Sequence, residues 1–565
     1  MIHRRGRGVV LLTLTLALVA AACSSSKSSS ASGGSSTTPA TAAPTTVAAK
    51  QGGDMVFSAE QEPDCADWIG SCGGSSWGVY AYQGLVMPRA YEFTDKSTYV
   101  PSVLLTGPAD LKTSPAQVVT YHINPKAVWS DGQPITSTDF KYTWDQIAHG
   151  KDIYDTTGYS QIASVDDTDP HTAVVTFSST FADWQSLFGG FYGVLPSHLL
   201  TGQDRDAAMK NGFKWSGGPW MLDHWTKGTE MKFVPNPTYW GKKPNAASIT
   251  FKFITDTAAE VAAVKSGQVE GAYPQASPGP PALKGLAGMS FDAVSGLNYE
   301  ALWFNTAKAP LDSKAVRQAL AYSTDRDAIV QQLFGPTQPD IKPIQAIMTP
   351  AYGPVYTEPF AKYKVDLNQV NTLMTGDGWK KGADGIWAKN GTVANIELKT
   401  TAGNKRRLLT AQILQSEWKA AGFNLVLNAE KAGVLFGQDL PAGNFQAGLY
   451  AQTPPDNDPG FCLLWCSKNI PGPSNGNNGQ NWDRINDPAL DKPWLDADTN
   501  LDPAARIKDA QDGTVVLAED VPALPLDPFP DINVINTDKI GTEQGTFLHN
   551  FAFGPFYYSN YWFVK

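Results

Sequence analysis

Only one stretch of this 565-residue chain is long and apolar, Val9 to Ala22, and it stands at the start behind Arg4, Arg5 and Arg7. A charged segment followed by an apolar one is the layout of a secretory signal. Its 14 residues fall short of the roughly 20 that a membrane-spanning helix needs. That position constrains everything downstream. The body, from about Gln51 to Lys565, has no other such run and must bury its own apolar surface as soluble domains. It is long enough for more than one core.

The small residues Ala20, Ala21 and Ala22 ahead of Cys23 resemble a bacterial lipobox. Residues 1–22 are therefore expected to be a removed signal peptide and Cys23 to carry lipid, the alternative being an ordinary signal with an incidental cysteine. Ser24 to Lys50 is nearly all Ser, Thr, Ala, Pro and Gly. Such a composition cannot offset the entropy of ordering. It suits a flexible tether, residues 23–50, between lipid and body. The membrane is expected to be touched through this anchor alone.

Setting aside the three signal arginines leaves 41 of the 44 basic residues against 54 acidic ones, a net charge of −13. That balance argues against nucleic acid, whose binding rests on basic side chains. The body's four cysteines form two close pairs, Cys65 with Cys72 and Cys462 with Cys466. In an oxidising compartment these read as local disulfides, each contributing about 2–2.5 kcal/mol in the chain-entropy model. Zinc is the rival, but C-x6-C with C-x3-C fits no common finger, and the seven histidines form no pair at ligand spacing. No metal and no cofactor are expected. The 17 Trp, 20 Tyr and 25 Phe are enough to line a large pocket as well as a core.

Strand-like and helix-like segments alternate along the body. Gln117–Ile123 and Thr172–Ser178 alternate as strands do. Thr136–Gly150 reads as a helix capped by Ser137, with Phe140, Trp144 and Ile147 on one face. Ser216–Ile254 reads as three strands. Asp256–Gln268 reads as a helix, with Asp256 at its N-cap and Gly267 near its stop. Two helical segments broken near Ser323–Asp325 follow, then a helix and strand over Lys405–Leu427. This alternation implies an α/β or mixed α+β architecture.

Five segments in order carry a resemblance. They are "VWSDGQPITSTDFKYTW", "SGGPWML", "NPTYWGKKP", "LWFNTAKAPLDSKAVRQALAYSTDRDAIV" and "LMTGDGWKKGADGIWAKNGTVANIELKT". Behind a signal and a tether, they resemble the extracytoplasmic solute-binding proteins of bacterial ABC importers, family 5, the class of oligopeptide-, dipeptide- and nickel-binding proteins. The resemblance implies a periplasmic-binding-protein-like fold of two lobes, joined by crossing strands, with an additional domain inserted in the first. Projected on this chain, lobe I takes about 51–88, 211–297 and 530–565, the insert 89–210, and lobe II 298–529. It also implies a monomer that closes on a ligand by hinge motion and presents it to a permease and its ATPase subunits. The chain has no G-x-x-x-x-G-K-[ST], so it is not itself the pump. Asn236, Pro237, Tyr239 and Trp240 read as a structural turn and hook. Arg317, Asp325 and Arg326 read as fold markers that pair along a helix.

The ligand is expected between the lobes. Peptide-binding members hold the ligand backbone as an added strand and meet its ammonium with an acidic residue in a W-x-x-D-Y-x-D-P-like segment. Here that segment is "LYAQTPPDNDP", and it departs from the pattern. Pro455 or Gln452 falls where the acid belongs, with Asp456 and Asp458 nearby. Peptide capture is the first expectation. A ligand without a free ammonium, such as an oligosaccharide, is the alternative. Candidate contacts are Gln452, Asp456, Asp458, Asn305 (by analogy near the lobe crossing), and Trp77 and Trp482 as stacking walls. A secreted glycosidase would need a carboxylate pair across a cleft. The sequence is read as holding no recognisable catalytic block, no G-x-S-x-G elbow and no H-E-x-x-H, and a surface scaffold would not explain the five ordered segments.

Overall fold

The computed structural model describes residues 49–565 apart from Ser71, Gly74, Ser75, Gln275, Ser277, Pro278, Pro455, Gly476 and Asn478. The signal, Cys23 and the tether up to residue 48 lie outside the described residues, as does Pro455.

Two large sheets organise the body. The first has seven strands in the order Met289–Ser295, Pro530–Asn536, Gly271–Ala272, Asp54–Ala59, Ser248–Phe253, Glu230–Pro235 and Trp220–Thr226. Asp54–Ala59 runs parallel to both of its neighbours, and the outer pairs are antiparallel. Met55 and Phe57 alternate inward on this strand and are fully buried. Phe57 lies 5.1 Å from Phe556 and 5.6 Å from Trp562, so an aromatic layer fills this core. The second sheet has five strands in the order Asn424–Glu430, Asn395–Thr401, Ala447–Gln452, Tyr299–Phe304 and Ala523–Asp527. The first three are mutually parallel. A four-stranded antiparallel sheet, Asp110–Lys112, Val118–His122, Thr172–Phe177 and Ile162–Asp169, packs on the helix Ser137–His149 around Tyr121, Phe140 and Phe188.

The chain passes between the two large sheets twice. Met289–Ser295 leaves the first and continues after three residues as Tyr299–Phe304 in the second. Ala523–Asp527 leaves the second and continues after two residues as Pro530–Asn536 in the first. The two paths pair antiparallel on both sides, Ser295 with Pro530 and Glu300 with Asp527. A two-stranded ribbon therefore joins the lobes, and its unpaired points are residues 296–298 and 528–529.

The local signals behave as their chemistry requires, with two corrections. Asp256 accepts from the Ala259 N–H as an N-cap. The helix Thr257–Ser266 stops at Gly267 (φ +71°) and Lys405–Ala421 stops at Gly422 (φ +102°), left-handed caps that glycine adopts without steric cost. Thr136, not Ser137, caps Ser137–His149, in a capping box with Asp139. Asp139 also accepts from Trp129 Nε1, Ser197 N and Ser197 Oγ, so one carboxylate ties turn, helix and a distant loop. Arg317 and Arg326 do not pair along a helix. They are buried and donate to backbone carbonyls, Leu311 and Asp520 for Arg317, and Ile344, Pro525 and Phe360 for Arg326. Asp325 instead caps Arg326–Phe334. Asn236 is fully buried and donates to Gly218 O, and Trp240 Nε1 donates to Val103 O. Both cysteine pairs are disulfides, with Cα–Cα distances of 6.0 Å and 4.7 Å.

Candidate functional site

Parallel strands present their carboxyl ends on one edge of a sheet, and ligands bind in the crevice outside those ends. Both sheets follow this rule toward the same space. On the first lobe, Glu60–Asp64 follows Asp54–Ala59, Thr255 and Thr257 follow Ser248–Phe253, and Tyr273 follows Gly271–Ala272. On the second, Ala402–Arg407 follows Asn395–Thr401, Lys431 follows Asn424–Glu430, and Thr453 follows Ala447–Gln452. All of these line one cleft of about 1150 Å³, with Phe529–Asp531 of the crossing ribbon at its floor. That exceeds the roughly 300–1,000 Å³ of common small-molecule sites. The helices Thr257–Ser266 and Lys405–Ala421 begin at the cleft, and across its rim Lys405 Nζ pairs with Asp256 Oδ2 at 2.7 Å.

Three of the six expected contacts meet here and three do not. Gln452, Trp77 and Trp482 line the cleft. Trp77 is seated among Tyr80, Phe251 and Tyr273, and Trp482 beside Tyr450 and Phe436, so both are packed into aromatic clusters of their own lobes. Asn305 follows the strand Tyr299–Phe304 at its end remote from the crossing, six residues or about 20 Å away at strand rise. It donates to Gly443 O and Phe445 O and accepts from Ala307 N, which uses its amide as a staple. Asn305→Ala is expected to cost about 1–3 kcal/mol, the range for stranding buried polar groups, and to leave ligand affinity unchanged when both are measured on one preparation.

Asp456 and Asp458 are spoken for as well. Asp456 accepts from the Tyr99 hydroxyl and from Asp458 N, and Asp458 accepts both hydrogen bonds of Arg506 Nη2, at 2.7 and 2.6 Å. Tyr99 begins the second strand of the hairpin formed by Tyr91–Phe93 and Tyr99–Pro101, so this is a contact between that hairpin and the second lobe, not a cleft wall. Burial, with the Asp458 charge beside it, pushes Asp456 up to about 6.

Two of the lining residues, Arg406 and Arg407, are held from beneath by a buried carboxylate. Glu300 Oε1 accepts from Arg407 Nε at 2.7 Å, and Glu300 Oε2 lies 2.6 Å from Arg406 Nη2. Burial opposes ionisation of Glu300, but the two guanidiniums outweigh it and hold its carboxyl below the usual range. The Arg406 guanidinium lies 4.6 Å from the Phe529 ring centre. Burial pushes Asp527 up to about 7 against the pull of Arg406.

Residues 110–472 match the family described as bacterial extracellular solute-binding proteins, family 5 Middle, which is more than half of the chain. The chain belongs to this family. Family 5 comprises binding proteins, not enzymes. The oligopeptide-binding protein OppA of Mycobacterium tuberculosis is 27% identical over 386 residues, 67% of this chain and 64% of that protein. The matches take in 56–64% of the length of the first curated relatives. Among solved structures, the oligopeptide-binding protein AppA of Bacillus subtilis, in complex with a nonapeptide, superposes with a TM-score of 0.79 at 20% identity over 92% of this chain and all of that one. The periplasmic EDTA-binding protein EppA gives 0.80 at 20% identity, over 92% and 98%. These establish the two-lobed fold of this family 5 protein. Among its described residues no helix is long and apolar enough to cross a membrane.

Two features escaped the sequence. The first-lobe wall Glu60–Asp64 carries no motif, and only its place after a strand-like run marks it. Residues 74–78 do spell G-x-S-x-G, the pattern of a hydrolase elbow, which corrects the reading that the motif is absent. Ser76 leads into the helical turn that begins at Trp77, and no described residue lining the cleft is histidine.

Proposed function

We propose that this family 5 protein captures a peptide-like solute in the inter-lobe cleft and delivers it to an ABC permease with its ATPase subunits. The observation that carries the reading is the cleft itself, one large space formed at the carboxyl ends of parallel strands from two sheets joined by a narrow ribbon. A ribbon unpaired at 296–298 and 528–529 suits hinge closure. The peptide class draws support from the curated relatives named oligopeptide-binding. A solved protein of this fold in complex with a nonapeptide and another described as EDTA-binding keep a non-peptide solute as the second reading. Lobe limits of 51–88, 211–297 and 530–565, an insert of 89–210 and a second lobe of 298–529 are part of the proposal. What supports them is that each sheet's strands fall within one set of limits. We further place the protein outside the cytoplasm as a monomer, held to the membrane by lipid on Cys23. Calorimetry with a mixed tri- to pentapeptide pool tests the function. Saturable binding that raises the unfolding temperature is expected. Absence of both would overturn peptide capture.

A further inference from the structure

The walls of the cleft are sorted by charge. The first lobe contributes Glu60, Glu62, Asp64 and Asp531 with one cation, Lys227. The second contributes Lys405, Arg406, Arg407 and Lys431 and no acid. We propose that this sorting orients a dipolar ligand, with its cationic end held against Asp64 of the first lobe and its anionic end against Lys431 of the second. The ligand class is one with opposite charges at its two ends, such as a free-ended oligopeptide. The proposal rests on the cleft being the solute site.

Several observations support this polarity. The second-lobe acids near the strand end, Asp456 and Asp458, are consumed by Tyr99 and Arg506, so that lobe brings no carboxylate to the cleft. On the first-lobe wall, burial and then the like charge of Glu62 raise Asp64, with Lys227 opposing. An arriving ammonium relieves that repulsion. Asp64 has no ion-pair partner among the described residues, and neither has Lys431, which is exposed. On the second-lobe wall the 17-residue helix Lys405–Ala421 starts at the cleft, and its N-terminal field adds to Lys431 in favouring a carboxylate. Arg406 and Arg407 share the Glu300 carboxylate and Lys405 is paired with Asp256 across the rim, which leaves Lys431 as the cation of this wall with no ion pair among the described residues.

The test uses the peptide pool in three forms, free, N-acetylated and C-terminally amidated, against the wild-type body, Asp64→Asn and Lys431→Gln. In the wild type each blocked end is expected to weaken binding by about tenfold to a hundredfold, the span of a charged hydrogen bond. Asp64→Asn is expected to erase most of the penalty for N-acetylation while keeping that for amidation. Lys431→Gln, at an exposed site that folding does not depend on, is expected to do the reverse. Crossed couplings, or penalties unchanged in both variants, would overturn the polarity while peptide capture stands. The latter is the result if the charged walls serve only to attract each other, as Lys405 and Asp256 already do. Failure of the free pool to bind overturns the cleft reading and this one with it.

Discussion

Glu300→Ala is expected to destabilise the protein by about 3–5 kcal/mol, the range for stranding a partner of a buried ion pair. Glu300 and Arg406 are each 1% exposed, and the single carboxylate faces two guanidiniums. Arg406 is held by distance alone, and its N–H groups make no aligned hydrogen bond among the described residues. Losing Glu300 removes the one carboxylate within 4 Å of that guanidinium among the described residues. Asp527 lies across the ribbon from Glu300 and is kept near a pKa of about 7 by burial. Without its like-charged neighbour it ionises more readily and recovers part of the loss. The deficit should therefore shrink as pH rises from 6 to 8. Glu300→Gln, which keeps shape and one acceptor, should cost less than Glu300→Ala. Because the triad sits where both crossing strands enter the second lobe, the variant should also bind solute more weakly than its stability alone explains. Urea midpoints across pH 6–8 decide the matter, and a cost below about 1 kcal/mol, the scale of a surface pair, would show that the triad is not a buried unit.

Much of the architecture was written in local chemistry. The strand alternation of Gln117–Ile123, the cap at Asp256 and the stop at Gly422 each depend on neighbours a few residues away, and each is readable without tertiary knowledge. The ribbon is different in kind. Met289–Ser295 pairs with Pro530–Asn536 across more than 230 residues, and period-2 alternation does not say which distant strand is the partner. The site follows the same division. Trp77 and Trp482 could be placed at the cleft because aromatic residues in Gly-rich loops are natural wall material, and Gln452 because it falls where the resembling family carries its acid. Asp456 and Asp458 misled because a carboxylate's availability depends on what packs against it, here Tyr99 and Arg506 from distant segments. Asp64 and Lys431 were missed because an ordinary acid and an ordinary lysine gain meaning only when two strand ends face each other.

The second large effect is expected at the junction where Tyr99 and Asp183 meet the second lobe. Asp183, Asp456, Asp458 and Asp498 gather there around one guanidinium, Arg506, with Lys468 at longer range. The Ala182 N–H also donates to Asp498 O, so the contact is a joined surface. Arg506→Ala should cost about 3–5 kcal/mol at neutral pH, because it leaves Asp458 buried without its cation. Burial, and then the Asp458 charge, pushes Asp456 up to about 6 and Asp498 up to about 7, and Asp183 is raised well above its usual value by burial and by the two neighbouring aspartates. These folded-state values lie above the unfolded ones, so the folded protein binds more protons. The stability they lend is complete below the unfolded pKa near 3.8 and is lost as pH rises through about 6 and about 7. The wild type should thus unfold at a lower temperature at pH 8 than at pH 5. Arg506→Ala should steepen that slope, since the remaining charges repel without compensation, and Asp498→Asn should flatten it. A melting series from pH 5 to 8 on the three proteins separates this from a simple loss of packing, which would lower all temperatures equally. Parallel curves for wild type and Arg506→Ala would show that the aspartates do not share their protons with the joint between the two parts.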